Sequence, residues 1–267
     1  MSRIVLVTGG SRGIGAAIAS RLAQAGDVVY AASRSGQAPT HPRIHGIVLD
    51  VNDIDGLRAG VDAIVQAEGR LDAVVVNAGN GICGPLEEMK EEDVRYQFET
   101  CFFGAVKTIG ACVPVMRAQG FGRILAVTSF AALVPLPYQV MYSSAKAALE
   151  MAVMGYAVEL KPFGIQCGCV LPGDTATGFT SARKYIDLAE DSPYRDRFQR
   201  CMDTVSRDEQ GGMPADRIAR AVARQLSRRR MRLEVVPRAD YWLLSALIKL
   251  LPRRLALLAM EKLYNKS

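Results

Sequence analysis

The feature that most constrains the fold of this chain is a regular alternation of short β-branched runs with longer helix-like stretches. The apolar runs include "RIVLVT", "DVVYAAS", "IHGIVLD", "LDAVVVNAG" and "RILAVTS". Strands that alternate with helices form parallel βαβ units, and these strands are apolar on both faces, as strands covered on each side are. The pattern predicts an α/β fold with a doubly wound, mostly parallel sheet and helices on both faces.

Residues 172–213 depart from this alternation, because they are polar, irregular and rich in Asp, Arg and Ser. Long irregular stretches inside a compact domain are usually functional or disordered, so the segment is interpreted as a substrate loop region with short helices over the site. A helix over about 214–228 and the strand "RLEVVP" follow it. The whole pattern predicts a single domain over 1–267.

The last part of the chain, residues 240–264, is rich in leucine. Lys249, Pro252 and Arg253 interrupt it before it reaches the roughly 18 unbroken apolar residues that a membrane span needs. It predicts a C-terminal helical extension of two short amphipathic helices. Such helices can lie on a lipid surface, so peripheral membrane contact is one predicted interaction.

The composition argues against several other classes of protein. Hydrophobic residues make up 49% and charged residues 22% of the 267 residues, the balance of a core-forming globular protein. The formal net charge is +6, but no recognition motif accompanies it, so no nucleic-acid partner is predicted. The six cysteines include no CxxC pair and no zinc spacing, which predicts reduced thiols and no metal site. Because the N-terminus moves directly into a strand, a cytoplasmic location is expected.

A glycine-rich turn stands between the first strand and the first helix. In "VLVTGGSRGIGAAIA", Gly9, Gly13 and Gly15 follow the spacing T-G-x-x-x-G-x-G. Glycine allows the tight turn and the close approach of a phosphate, which backbone N–H groups and the positive end of a helix dipole can bind. The turn therefore predicts a dinucleotide site in a Rossmann-like fold. The alternative is that these glycines only end a strand and begin a helix.

The end of the second strand bears on which dinucleotide is bound. Folds that bind NAD often place an Asp or Glu there, whereas this chain has Ser33 and Arg34. A guanidinium matches the 2′-phosphate of NADP, and Arg12 in the glycine turn can approach the same phosphate. NADP(H) is therefore predicted in preference to NAD(H). A plainer interpretation, that both arginines are solvated surface residues, stays open.

Polar residues also follow the third and fourth strands. Asp50 comes at the end of "IHGIVLD", and Asn77, Ala78 and Gly79 come directly after "AVVV". Both groups lie at carboxyl ends of strands, the edge at which doubly wound sheets bind ligands. The alternative is that Asp50 caps the next helix and Asn77 makes a turn.

A tyrosine and a lysine lie one helical turn apart in "MYSSAKAALE". Tyr142 and Lys146 are at positions i and i+4, so a helix places them on one face. A phenol titrates at about pH 10 and a neighbouring cation lowers its pKa, so the pair is interpreted as a tuned acid/base. Upstream, Ser129 ends the strand "AVTS" and can hydrogen-bond a substrate oxygen.

Together these motifs resemble the short-chain dehydrogenase/reductase family over residues 1 to about 180: "TGGSRGIG", "NAG", Ser129, "YSSAK" and "PGDTAT" occur in the family's order and at its usual intervals. The resemblance implies that Tyr142 is the general acid/base and that Ser129 orients and polarises the carbonyl. It implies that Lys146 binds the nicotinamide ribose and lowers the tyrosine pKa. The implied cofactor-binding residues are Gly9, Ser11, Arg12, Gly13, Ile14, Gly15, Arg34, Asp50, Val51, Asn77, Ala78, Gly79, Tyr142, Lys146, Pro172, Gly173, Thr175 and Thr177.

The reaction that the resemblance implies is hydride transfer between NADPH and a carbonyl carbon, which interconverts a ketone and a secondary alcohol. The segments "FFGAVKTIGACVPVM" and "ALEMAVMGYAVELKPFGI" are closest in character to steroid- and retinol-type members. A hydroxysteroid, including a bile acid, is therefore the first expected substrate, and a lipid-like or acyl ketone is the next. The family commonly forms homodimers or homotetramers through the helices that begin near Glu91 and Met141.

Apolar residues after Pro172 are the expected lining of the substrate pocket: Phe179, Tyr185, Ile186 and Leu188. The alternative is that they belong to the core or to a subunit interface.

Cys101 departs from the family pattern. In "FETCFFGAV" it stands where the family often has an asparagine that is thought to hold a helix kink and a water of the proton relay. Cysteine is a weak hydrogen-bonding group, so the relay must be built differently or run less well. A weakly active NADP-binding module is therefore the alternative function. Because Ser129, Tyr142 and Lys146 remain, activity is favoured.

Overall fold

A computed structural model of the chain describes residues 2–264. The strands are β1 (Ile4–Thr8), β2 (Val28–Ser33), β3 (Ile44–Val48), β4 (Ala73–Val76), β5 (Ile82–Cys83), β6 (Gly122–Val127), β7 (Ile165–Val170), β8 (Thr175–Ala176), β9 (Lys184–Tyr185), β10 (Met213–Pro214) and β11 (Glu234–Val235). The helices are α1 (Gly13–Gln24), α2 (Ile54–Glu68), α3 (Glu91–Phe98), α4 (Gly104–Gln119), α5 (Val140–Glu159), α6 (Arg195–Gln210), α7 (Ala215–Ser227), α8 (Ala239–Leu250) and α9 (Arg253–Tyr264).

The main sheet has seven strands in the order β11-β7-β6-β4-β1-β2-β3, and every neighbouring pair is parallel. The chain moves outward from β1 to β3 and then returns to the other side of β1 to form β4. The direction of winding therefore reverses between β1 and β4, where doubly wound sheets bind their ligands. The predicted Rossmann-like α/β fold is confirmed.

The core lies in two layers, one on each face of the sheet. Alternate residues of β1 enter opposite layers, because successive side chains of a strand point to opposite faces: Leu6 packs with α2, α4 and α5, whereas Val5 and Val7 pack with α1 and α7. All three side chains are fully buried. This double burial explains why the strands read as continuous apolar runs.

The segment 172–213 is more ordered than predicted, because it contains α6, a helix of 16 residues. The residues Phe198, Cys201, Met202 and Val205 are buried along one face of α6, at helical spacing. That periodicity is present in the sequence, and the interpretation as a loop with short helices overlooked it. Two short parallel pairs tie the segment down, because β9 pairs with β5 and β10 pairs with β8.

The apolar segment Glu91–Gln119 is helical but irregular. α3 and α4 are joined by a π-helical turn, Glu99–Phe103, in which Cys101 is buried. Among residues 2–264, this is the one helix that is long and apolar enough to cross a membrane, and 44% of its most apolar window is buried inside the protein. Its residues Ile109 and Cys112 pack into the core on the sheet, as those of a core helix do.

The predicted C-terminal extension forms α8 and α9. Exposed leucines cover their outer surface, among them Leu243, Leu247 and Leu250 on α8. The inner side of α8 places Tyr241 against the sheet edge that follows β7, described below. Contact of these helices with a membrane stays a prediction.

Glu150 on α5 is a buried carboxyl whose charge is poorly compensated. Burial, together with the nearby Glu234, raises its pKa to about 7, against the opposing effect of Lys249. Its Oε2 atom has no hydrogen-bond partner within residues 2–264. The unfolded chain loses this proton at a lower pH than the folded protein does, so stability falls as the pH rises from about 4.5 to about 7.

We expect Glu150→Gln to raise the free energy of unfolding by about 2 kcal/mol more at about pH 8 than at about pH 5, because the amide carries no charge to desolvate. Urea denaturation at both pH values measures the difference. Glu159→Gln, at an exposed position on the same helix, is the control. An equal gain at both pH values would contradict the assignment.

Candidate active site

The glycine-rich turn lies between β1 and α1, at the reversal of the sheet. Gly9 and Gly13 have φ values of +66° and +56°, in the left-handed region that other residues rarely adopt. α1 begins at Gly13, and its first turn has no acidic side chain. The backbone N–H groups and the dipole of α1 therefore present an anion-binding end at this turn.

Asn77 fastens the turn to the neighbouring strand. Its side-chain amide donates to the carbonyl oxygens of Thr8 at 3.0 Å and of Gly9 at 3.3 Å. The Thr8 hydroxyl accepts from the backbone N–H groups of Asn77 at 3.0 Å and Ala78 at 3.1 Å. A Cβ on Gly15 would lie 2.1 Å from the Gly9 carbonyl oxygen. The glycine turn and the segment after β4 therefore form one cradle, whose shape fits a dinucleotide pyrophosphate.

The predicted adenosine end lies at the carboxyl edge of β2 and β3. Arg34 follows β2, Arg12 precedes α1, and both side chains are exposed without an ion pair among residues 2–264. Asp50 is exposed and Val51 is buried beyond the end of β3. Asp50 does not cap α2, because Asp53 accepts the hydrogen bonds at that helix end. The two guanidinium groups are thus unengaged at the edge where the sheet binds its ligand.

The predicted catalytic residues lie close together: Ser129 follows the end of β6, and Tyr142 and Lys146 are on α5. Ser129 lies close enough to Tyr142 to lower the pKa of the phenol. The Lys146 ammonium lies 5.9 Å from the centre of the Tyr142 ring and donates to the carbonyl oxygen of Val127 at 3.0 Å. A Cβ on Gly79 would lie 3.6 Å from the same ammonium. The predicted acid/base residues therefore adjoin the Asn77–Gly79 edge of the cradle.

The pKa of Tyr142 differs from the sequence expectation. Burial raises it above the usual value for a phenol and Cys101 raises it further, while Ser129 and the charge of Arg183 lower it. Lys146 is not among the groups with the largest effects on this pKa, and its ammonium donates to the carbonyl oxygen of Val127, so its lowering of the pKa stays a prediction. Tyr142 is thus a protonated phenol at neutral pH.

Cys101 is the centre of a polar cluster that the sequence interpretation missed. Gln97 Nε2 donates to Cys101 Sγ at 3.1 Å and to the Asn80 carbonyl oxygen at 3.0 Å. The Cys101 thiol donates to Asn80 Oδ1 at 3.2 Å, and a Cβ on Gly79 would lie 3.5 Å from Cys101 Sγ. Two amides therefore surround the π-helical turn where the family pattern has one asparagine. The available signals were Asn80, directly after "NAG", and Gln97, one turn before Cys101.

The segment after β7 closes the other side of the cradle. Thr177 lies beside the glycine turn, 3.7 Å from the position of a Cβ on Gly13. The Thr175 hydroxyl donates to the Gly173 carbonyl oxygen at 2.8 Å, and the Pro172 carbonyl accepts a hydrogen bond that fixes the segment to the end of β6. These four predicted residues thus border the cradle on the side of Ser129.

Tyr241 of α8 covers this segment, which the sequence did not predict. A Cβ on Gly173 would lie 2.3 Å from the Tyr241 ring, and the ring packs edge-on against Phe130 with centroids 5.0 Å apart. Its hydroxyl donates to Asp174 Oδ2. The C-terminal extension is therefore part of the wall of the site.

The residues predicted to line the substrate pocket differ in where they lie and in how exposed they are. Phe179 packs on Tyr142 with ring centroids 5.8 Å apart, Ile186 is buried against Gly84, and Tyr185 is 44% exposed. Arg183, which had no signal in the sequence, lies with its guanidinium carbon 5.7 Å from the centre of the Phe179 ring. The wall that faces Tyr142 is therefore part apolar and part charged.

A dinucleotide cradle at the reversal of a parallel sheet, next to a tyrosine, a serine and a lysine, defines a nicotinamide-dependent oxidoreductase. The family model described as short chain dehydrogenase matches residues 3–185. The chain belongs to the short-chain dehydrogenase/reductase family, whose members act on CH–OH groups and typically bind small-molecule substrates and form oligomers. The resemblance seen in the sequence is confirmed.

Two enzymes are similar to this chain in sequence. A 3-ketodihydrosphingosine reductase of Bacteroides thetaiotaomicron is 34% identical over 85% of this chain and 84% of its own length. Human 17-beta-hydroxysteroid dehydrogenase type 1 is 34% identical over 66% of this chain and 58% of its own length. The crystal structure of a short-chain dehydrogenase from Streptomyces avermitilis superposes with a TM-score of 0.80 at 28% identity, covering 100% and 98% of the two chains. Structures of this fold hold NAD in one case and NADP in another, so the fold alone does not select the cofactor.

Proposed function

We propose that this protein is an NADP(H)-dependent reductase that converts a lipid-like ketone into a secondary alcohol. The observation that carries the proposal is the position of Tyr142, whose ring packs on Phe179 of the substrate segment and whose hydroxyl is near enough to Ser129 for that residue to lower its pKa. A proton donor is thus held beside an apolar wall. The similarity to a 3-ketodihydrosphingosine reductase over most of both chains supports a lipid-like ketone as the substrate class.

In this proposal the cofactor-binding residues line the cradle from the adenosine end to the nicotinamide end. Arg12 and Arg34 bind the 2′-phosphate, Asp50 and Val51 meet the adenine, and the glycine turn with the start of α1 binds the pyrophosphate. Lys146 binds the nicotinamide ribose, and the segment from Pro172 to Thr177 meets the nicotinamide. When bound, the nicotinamide supplies or accepts the hydride.

The protein's own side chains supply the proton for the carbonyl oxygen. Ser129 hydrogen-bonds the carbonyl oxygen and orients it, and Tyr142 donates its proton to that oxygen as negative charge develops there. Because burial raises the pKa of Tyr142, the phenol is protonated at neutral pH, which suits ketone reduction better than alcohol oxidation. The amides of Asn80 and Gln97 hold the π-helical turn behind Lys146 in the place of the family's asparagine.

A hydroxysteroid, including a bile acid, is the second candidate substrate. It was the first expectation from the sequence, and the similarity to human 17-beta-hydroxysteroid dehydrogenase type 1 favours it. That similarity covers less of both chains than the similarity to the sphingosine-type reductase, so we place the lipid-like ketone first.

A panel of ketones assayed with NADPH and with NADH tests the proposal. We expect a long-chain ketone with NADPH to give the highest kcat/KM, steroid ketones a lower one, and NADH a value at least about tenfold below NADPH, since a charge-assisted phosphate contact contributes about 1.5–3 kcal/mol. Cofactor binding without turnover of any ketone would instead identify a weakly active NADP-binding module.

A homodimer or homotetramer stays our prediction for the assembly. Two apolar side chains on α5 are largely exposed, Met151 by 70% and Val158 by 75%. An apolar face on this helix is compatible with a subunit contact through α5 and the helical segment that begins at Glu91 with α3, which is where the family resemblance places it. A cytoplasmic location is likewise proposed on the sequence features alone.

A further inference from the structure

Arg183 is a buried cation with two polar atoms that lack a partner. Its side chain is 1% exposed, and its Nη2 atom donates to Glu209 Oε1. Within residues 2–264, the Nε and Nη1 atoms have no hydrogen-bond partner although both are buried. A buried donor without an acceptor is costly, and a guanidinium carries five N–H donors that need acceptors. The position therefore calls for an oxygen acceptor that the protein itself does not provide.

Glu209 completes the pair and retains accepting capacity. Its Oε2 atom accepts from the Thr180 hydroxyl, and its side chain is 15% exposed. A carboxylate has about four lone-pair positions, and the contacts with Arg183 and Thr180 occupy two of them. The pair can thus meet a ligand that brings both an oxygen acceptor and an N–H or O–H donor.

The Arg183–Glu209 pair is connected to Tyr142 through the Phe179 ring. The Arg183 guanidinium lies over Phe179, and Phe179 packs on Tyr142. The electrostatic effect of this pair reaches Tyr142, because Arg183 lowers and Glu209 raises the pKa of the phenol. The pairing of β5 with β9 ties Arg183 to the segment after Gly79, since Lys184 and Ile82 are partners in it. Arg183 and Tyr142 therefore contact the same aromatic ring, Phe179, and lie within electrostatic range of each other.

We propose that Arg183 and Glu209 bind a polar head on the substrate, with Arg183 donating to a hydroxyl oxygen and Glu209 accepting from an amine or a second hydroxyl. The substrate class is then an amino-hydroxy ketone with an apolar tail rather than a plain ketone. This inference rests on the proposed ketone reductase function and names the specificity of the same site.

The test compares two ketones of equal chain length, one plain and one with an amine and a hydroxyl beside the carbonyl. Wild-type protein is expected to reduce the amino-hydroxy ketone with a KM about tenfold to a hundredfold lower, since each hydrogen bond to a charged group contributes to binding. Arg183→Met removes this advantage, so the ratio of kcat/KM for the amino-hydroxy ketone over the plain ketone falls by about tenfold or more, because a group that binds the head makes no hydrogen bond with a plain ketone.

Two further variants separate recognition from folding. Arg183→Met combined with Glu209→Gln avoids leaving an unpaired buried carboxylate and keeps the protein folded if the single variant is unstable. Arg197→Met is the matched control, because Arg197 is exposed on the same helix as Glu209 and forms no ion pair among residues 2–264. It is expected to keep wild-type KM values for both ketones.

Calorimetric titration with the amino alcohol product gives a readout that does not depend on turnover. Wild-type protein is expected to bind it more tightly than the double variant by about tenfold or more. If the titration shows this difference while no ketone is reduced, the head site stands and the proposed reductase function fails. A parallel loss with both ketones, or equal binding of the amino alcohol by wild type and double variant, would show that the pair only stabilises the fold and would overturn the proposal.

Discussion

Replacing Tyr142 with phenylalanine is expected to lower kcat for ketone reduction by about a thousandfold, within the range that loss of a general acid produces. Among the predicted catalytic residues, Tyr142 is the proton donor whose ring packs against Phe179, and Ser129 is close enough to lower the pKa of its hydroxyl. Phenylalanine keeps the ring and its packing. The loss should therefore fall on turnover, while the dissociation constant for NADPH changes little.

Single-turnover kinetics and fluorescence titration with NADPH measure these two quantities separately. Ser144→Ala, a neighbouring change on the same helix at a position with no predicted chemical task, is the control and should leave both unchanged. A Tyr142→Phe protein that binds NADPH normally and retains near-wild-type turnover would rule out Tyr142 as the proton donor.

The second large effect concerns the cofactor. Changing Arg12 to alanine together with Arg34 to aspartate is expected to lower the ratio of kcat/KM for NADPH over NADH by about a thousandfold, since two charge-assisted contacts of about 1.5–3 kcal/mol each are lost. The new carboxylate also repels the 2′-phosphate and can accept from the ribose hydroxyl of NADH. Because both side chains are exposed, the fold should be unaffected.

Steady-state kinetics with each cofactor, on the same ketone, give this ratio. Arg217→Asp, an exposed position on α7, matches the change of charge away from the cradle and should leave the ratio as it is. If the double variant keeps the wild-type ratio, the two arginines are solvated surface residues and the preference for NADP(H) has another origin or does not exist.

At Cys101 the family pattern predicts only part of what the structure shows. The pattern marks the position as a departure that threatens the proton relay, and by residue type alone this is correct, because a thiol is a weak hydrogen-bonding group. The structure adds Asn80 and Gln97, which surround the thiol and hold the π-helical turn. Their contribution depends on a contact between the loop after β4 and α3, and neither residue is unusual in its own segment.

The leucine-rich C-terminus gives a similar lesson. Its two amphipathic helices are readable from the sequence, because the interruptions at Lys249 and Pro252 and the apolar spacing are local features. The packing of Tyr241 against Gly173 and Phe130 could not be predicted from the sequence, because those residues come from segments that meet at the same edge of the sheet only when the chain folds.

The sequence by itself determined the α/β class, the glycine turn after the first strand and the pairing of Tyr142 with Lys146 on one helix face. These depend on periodicity and on spacings of a few residues, which local backbone geometry converts directly into position. Only the tertiary structure decided that burial raises the pKa of Tyr142, that amides enclose Cys101, and that Arg183 meets Glu209 beside the site. Desolvation and long-range contacts arise when separate segments pack together, and no short stretch of sequence carries them.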